Sequence, residues 1–234
     1  MICFLRSKER GSALFIILIG VALFAALGYA VSNMMRGGNS GTNIAGEQAK
    51  LYAGEILDYG RTLRQTVQGL RISNGCSDTD ISFENSSTSL NYSHTPATDD
   101  DCMVFERDAG GVSYNQPPIQ IFDNSHSARS TYGEYVFPST TSVLGVGTNA
   151  QDLITVLHYV KKDICLSINE KLGVPNPSQD APADEDGMDT KTPFKGSFST
   201  GQAIDTPDIS GQIAGCIQND SNAYYMFYQV LVAR

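Results

Sequence analysis

The chain has 234 residues, with 16 Lys and Arg against 25 Asp and Glu, a formal net charge of −9 and 41% hydrophobic residues. That length and apolar content suit one ordinary domain with a real core plus an appendage. The negative balance argues against nucleic acid as a partner, because a phosphate-binding surface needs clustered Lys and Arg.

The first residues, 1–11, read MICFLRSKERG and are basic through Arg6, Lys8 and Arg10. An uncharged stretch of 19 residues, Ala13 to Val31, follows. At about 1.5 Å per residue a helix of that length reaches roughly 30 Å, the thickness of a bilayer core. No polar face interrupts it, unlike a helix buried in a soluble core. The basic end precedes the apolar run, which places that end in the cytoplasm and the remainder across the inner membrane. Three readings are open. One is a secretory signal peptide cut near Gly28-Tyr29-Ala30, and another is a simple uncleaved anchor. The third is a short leader clipped ahead of the apolar helix, which then stays in the mature protein.

Lys8-Glu9-Arg10-Gly11-Ser12-Ala13-Leu14-Phe15-Ile16 resembles the processing site of type IV prepilins and type II secretion pseudopilins. The resemblance implies cleavage between Gly11 and Ser12 by a prepilin peptidase, then methylation of the new terminus. The family usually carries Glu at the fifth position after the cut, where this chain has Ile16. Ser12 replaces the usual bulky apolar first residue. Some minor pseudopilins at filament tips also lack that Glu, so the resemblance points to a minor subunit. Stretches Asn74 to Asn85 and Phe227 to Arg234 are similar to those of alphaproteobacterial pilin-like proteins of unassigned role.

Beyond the apolar helix, Arg36-Gly37-Gly38-Asn39-Ser40-Gly41 disfavours helix by about 1 kcal/mol per glycine, so residues 36–44 are expected to form a hinge. A second helix is predicted from about Ala45 to Ile72. Ile56, Leu63, Val67 and Leu70 form its apolar stripe, Arg61, Arg64 and Arg71 its wet side, and Asn74-Gly75 its cap. Candidate strands follow at Asp78 to Phe83, Cys102 to Glu106, Val112 to Tyr114 and Glu134 to Phe137. Leu153 to Leu157 is β-rich. Lys161 to Leu172 reads as a helix stopped by Gly173. Residues 174–215 read as one long irregular loop, of the kind that is usually functional or mobile. Tyr224 to Val232 is apolar on both faces and is expected inside the sheet.

Among the five cysteines, Cys3 stands apart and Cys76, Cys102, Cys165 and Cys216 form an even set with no C-x-x-C pair. In an exported domain these predict two disulfides. Cys76–Cys102 and Cys165–Cys216 are the pairs expected, since each brackets one polar, strand-poor stretch. A disulfide-bounded loop near the C-terminus resembles the D-region of type IV pilins.

Little in the chain promises catalysis. His94, His126 and His158 are scattered, and no zinc motif, nucleophile elbow or phosphate loop is present. No enzymatic activity and no cofactor are expected. Asp184, Asp186 and Asp189 are a weak calcium candidate without EF-hand spacing, and a solvated acidic loop is the favoured reading of them.

The sequence therefore predicts an α+β protein: leader 1–11, a transmembrane or filament-core helix 12–35, hinge 36–44, and an extracytoplasmic domain 45–234. In that domain an amphipathic helix packs on a mostly antiparallel sheet, as in pilins. The expected role is a filament subunit in the inner membrane or in an extracellular filament. Its expected partners are other pilin-like subunits and a prepilin peptidase. The alternative is an anchored or exported periplasmic binding or adhesion domain.

Overall fold

The structure, a computed structural model, describes residues 12–37, 40–94, 100–184, 188–219 and 224–234, with side chains described for 15–30 and then from 44 onward within those ranges. Two compact units divide the chain, Met1–Glu47 and Gln48–Arg234.

In the first unit, helix α1 runs over Ser12–Gly37. Four successive residues, Phe15, Ile16, Ile17 and Leu18, are all exposed, as are Leu23, Phe24 and Leu27 further on. Four successive helical positions point to every side of the axis, so the described side chains of α1 form no buried stripe within its own unit. Among the described residues no helix is long and apolar enough to cross a membrane. The described side chains of α1 are those of residues 15–30, about 24 Å of helix. Helix α2 spans Ser40–Ser73. The expected hinge 36–44 is thus helical at 36–37 and 40–44, with Gly38 and Asn39 outside the described residues. Once a helix is nucleated, each added residue gains a hydrogen bond, and this offsets the penalty at Gly37 and Gly41.

The second unit takes α2 from Gln48 onward. Ala49, Ala53, Ile56, Leu63, Val67 and Leu70 are buried at helical spacing and fix which side of α2 faces the sheet. The helix ends at Gly75, whose φ of +70° only glycine adopts without strain. Cys76 N–H then returns to Leu70 C=O at 3.3 Å.

Five strands form one mixed sheet in the order β1-β2-β5-β4-β3, with β1 Tyr135–Val136, β2 Leu153–Val160, β3 Ala183–Asp184, β4 Ala214–Asn219 and β5 Tyr224–Val232. All pairs are antiparallel except β3 with β4. The apolar last strand lies at the centre, hydrogen-bonded on both sides. Its two faces explain its composition. Phe227 and Leu231 join Leu157, Cys216 and the buried side of α2 in one core cluster, together with Ile164 and Ile168 of α3 (Lys162–Leu172). Met226, Tyr228 and Val230 join Ile154, Val156 and Ile217 in a second cluster, covered by Val143, Ile204 and Ile209 from irregular segments. α2 and α3, joined by irregular segments such as those of Phe83 and Val104, cover one face of the sheet, and irregular segments alone cover the other.

Several expected elements change. Asp78 to Phe83, Cys102 to Glu106 and Val112 to Tyr114 do not form strands; a single bridge joins Ser82 and Met103. Their apolar residues enter an aromatic cluster instead. Phe83 stacks on Phe137 at 4.1 Å, and Tyr92 and Phe105 lie against the same ring. β2 extends to Val160 across an irregularity at Tyr159, which has a φ of +62°. Stretch 174–215 is less irregular than its composition suggests. It holds 3₁₀ turns at Pro177–Gln179 and Pro207–Ile209, strand β3, and the start of β4. Cys216, expected just ahead of the last strand, lies inside β4.

Candidate functional site

α2 carries the candidate site on the edge of its buried side. Arg64 donates from Nη1 to Val230 C=O at 2.7 Å, and Gln68 from Nε2 to Leu231 C=O at 2.7 Å. These bonds lay the wet side of the helix along β5. The helix, the end of α3 and the start of β4 then leave a groove of about 560 Å³ between them. Its walls are Arg61, Arg64, Gln65 and Ile72 of α2, Leu172 of α3 and Ile213 beside β4. Ile72 is 81% exposed and Ile213 43%, so large apolar side chains stand open to water here. Gly69 also lines the groove, and a Cβ placed on it would meet nothing within 4 Å. Arg61 touches Asp58 at 3.3 Å in an exposed pair, of a kind worth little. Among the described residues Arg64 has no carboxylate partner. A smaller cavity of about 260 Å³ is polar, with Glu84, Glu106, Ser86 and Tyr114 in its wall.

The four cysteines of the second unit form Cys76–Cys102 and Cys165–Cys216, with Cα atoms 5.8 and 5.3 Å apart. The first ties the end of α2 to the turn at Cys102, where Asn74 Nδ2 also donates to Asp101 C=O at 2.7 Å. The second fastens α3 to β4 in the buried core. Beside it, the carboxamide of Asn169 brackets Cys216. Nδ2 donates to its C=O at 2.8 Å and Oδ1 accepts from its N–H at 2.8 Å. β3 pairs only with Gln218 and Asn219 of β4, so Asn169 completes the strand edge that β3 leaves open.

Gly11 of the expected cleavage site lies outside the described residues, and Ser12 opens the backbone of α1. Of the calcium candidates, Asp186 lies outside the described residues. Asp184 is buried in β3, and its Oδ2 accepts from Asp205 N–H at 3.0 Å. The Asp189 carboxylate instead caps its own turn, accepting from Lys191 N–H, Thr192 N–H and Thr192 Oγ1. Partial burial opposes its charge, but these hydrogen bonds outweigh it and hold its pKa below the ordinary value. Among the described residues no group of three or more His, Cys, Asp or Glu is placed to hold a metal ion.

The three histidines stay apart. His94 contacts the carbonyls of Tyr92 and Thr79, and His126 stacks on Tyr159 at 5.0 Å. His158 is fully buried in β2, with Nε2 2.8 Å from Thr190 Oγ1. Burial, with Lys191 adding to it and Asp189 opposing, pushes its pKa down to about 3. The imidazole is therefore neutral. Lys191 Nζ rests over the rings of Tyr159 and Tyr224 at 5.8 and 5.7 Å.

Sequence reasoning missed the groove. Its one signal was Ile72, an isoleucine out of phase with the stripe at 56, 63, 67 and 70. No family model, curated protein or solved structure matches the chain.

Proposed function

We propose that this chain is a structural subunit, of minor abundance, in a filament of the type IV pilus or type II secretion pseudopilus kind. The observation that carries the reading is α1, a helix of large apolar side chains exposed on every side, with Phe24 80% and Phe15 66% exposed. Such a helix needs lipid or other helices around it. Before assembly the inner membrane supplies that cover; in a filament, the same helices of neighbouring subunits do. The domain that follows suits life outside the cytoplasm, since its two disulfides persist only in an oxidising compartment. In this reading the protein has no catalytic task, and a prepilin peptidase acts on it between Gly11 and Ser12.

N-terminal sequencing of the protein recovered from membranes and sheared filaments tests the reading. The mature chain is expected to begin at Ser12. A start at Val31 would identify a signal peptide and remove the filament role. An intact Met1 would leave an anchored periplasmic domain.

A further inference from the structure

We infer that the groove beside α2 receives the first half of α2 from a second copy of this chain, around Leu51, Glu55 and Asp58. This deepens the filament reading and rests on it for what holds copies side by side. The groove offers apolar contact through Ile72 and Ile213 and open space above Gly69, with Arg61 and Arg64 at its edge. Its occupant must therefore combine an apolar side chain with carboxylates. Leu51, Glu55 and Asp58 supply that combination at steps of four and three along α2 and are all exposed, Leu51 at 61%. Those steps put the three on one helical stripe. Among the described residues Glu55 has no ion-pair partner, and Asp58 has only the weak exposed pair with Arg61.

Charge makes this contact selective. Each copy carries a net charge of −9, so most mutual approaches are repulsive. Seating the Glu55 stripe against Arg61 and Arg64 juxtaposes opposite signs and fixes the register. Groove and stripe lie at successive levels along α2, the stripe in its first half and the groove in its second, so one contact pairs different stretches of the two copies.

Cross-linking of the full-length chain tests this in a Cys3→Ala background. Copies carrying Leu51→Cys are mixed with copies carrying Ile72→Cys and treated with a short bis-maleimide. Both positions are exposed, so neither change disturbs the core. The expected product is a mixed dimer whose yield rises with protein concentration. Glu55→Lys on the first copy should lower the yield about tenfold at low salt, and Arg61→Glu on the second should restore it. Gly69→Leu fills the groove and should abolish the product. Dominant dimers of two Leu51→Cys copies or of two Ile72→Cys copies, or no product, would overturn the proposal. So would a product blocked by dodecanoate and insensitive to Glu55→Lys, which would assign the groove to a carboxylated amphiphile. A chain that begins at Ser12 in filaments yet gives no mixed dimer sinks this contact alone. A mixed dimer from chains retaining Met1 keeps the contact and sinks the filament reading.

Discussion

Two buried polar side chains set measurable properties of the domain. His158 is neutral inside the sheet, with its pKa pushed by burial down to about 3. In the unfolded chain it titrates near 6.5. Between those values the unfolded state binds a proton that the folded state refuses, so stability is present above about pH 6.5 and is lost as pH falls. The limiting slope is about 1.4 kcal/mol per pH unit. Urea unfolding of the Gln48–Arg234 unit should show this loss between pH 6 and 4.5, above the range in which most carboxylates protonate, and His158→Gln should flatten the curve there. Coincident slopes would mean that His158 protonates within the fold. Asn169 acts through hydrogen bonds. Asn169→Leu leaves the N–H and C=O of Cys216 buried without partners, at about 1–3 kcal/mol each. A loss near 3 kcal/mol or more in the same assay is expected, and a neutral result would show that water satisfies the strand edge.

At the scale of elements, the two disulfides differ in what they hold. The loops they close have sequence separations of 26 and 51 residues, which the chain-entropy relation converts to about 3.5 and about 4 kcal/mol. That gap is narrow, and burial widens it. Cys165 and Cys216 are both fully buried between α3 and β4, whereas Cys102 is partly exposed. The double change Cys165→Ala with Cys216→Ala therefore also opens a cavity in the main core. It should lower the urea midpoint further than Cys76→Ala with Cys102→Ala, and a reversed order would show that the end of α2 depends on its bridge more than α3 does. The same contrast separates the two faces of the sheet. One is covered in large part by α2 and α3, which carry their own backbone hydrogen bonds. The other is covered by loops held through single bonds such as Ile204 N–H to Ser142 C=O at 2.8 Å.

For the whole molecule, the proposed filament role turns on the residue at the fifth position after the proposed cut. A carboxylate there would pair with the terminal amine of a neighbour. Ile16, exposed on α1, offers only apolar contact, which is non-directional and docks a subunit with less specificity. The chain is accordingly expected to cap or prime a filament rather than form its shaft. Quantitative proteomics of purified filaments should find it far below the principal subunit, and detection as the dominant filament protein would refute the assignment.

Local rules were enough to read the helices and the central strand. The stripe of Ile56, Leu63, Val67 and Leu70 gave the buried side of α2, Gly75 and Gly173 ended α2 and α3, and Tyr224 to Val232 announced a strand covered on both faces. The cysteine pairs also followed from position, because each bridge joins the flanks of one irregular stretch. Strand β4 was not legible. Ala214, Gly215, Gln218 and Asn219 carry little β preference, and the strand exists because β5 offers it a hydrogen-bonding edge. Gly215 fits there because the ring of Tyr228 would lie 3.0 Å from any Cβ at that position. The aromatic segments before residue 115 erred the other way, since apolar residues that read as strands reached burial through ring packing. The groove lay furthest from view. Its lining comes from α2, α3 and β4, which are distant along the chain, and only the docking of those elements leaves Ile72 and Ile213 uncovered beside two arginines.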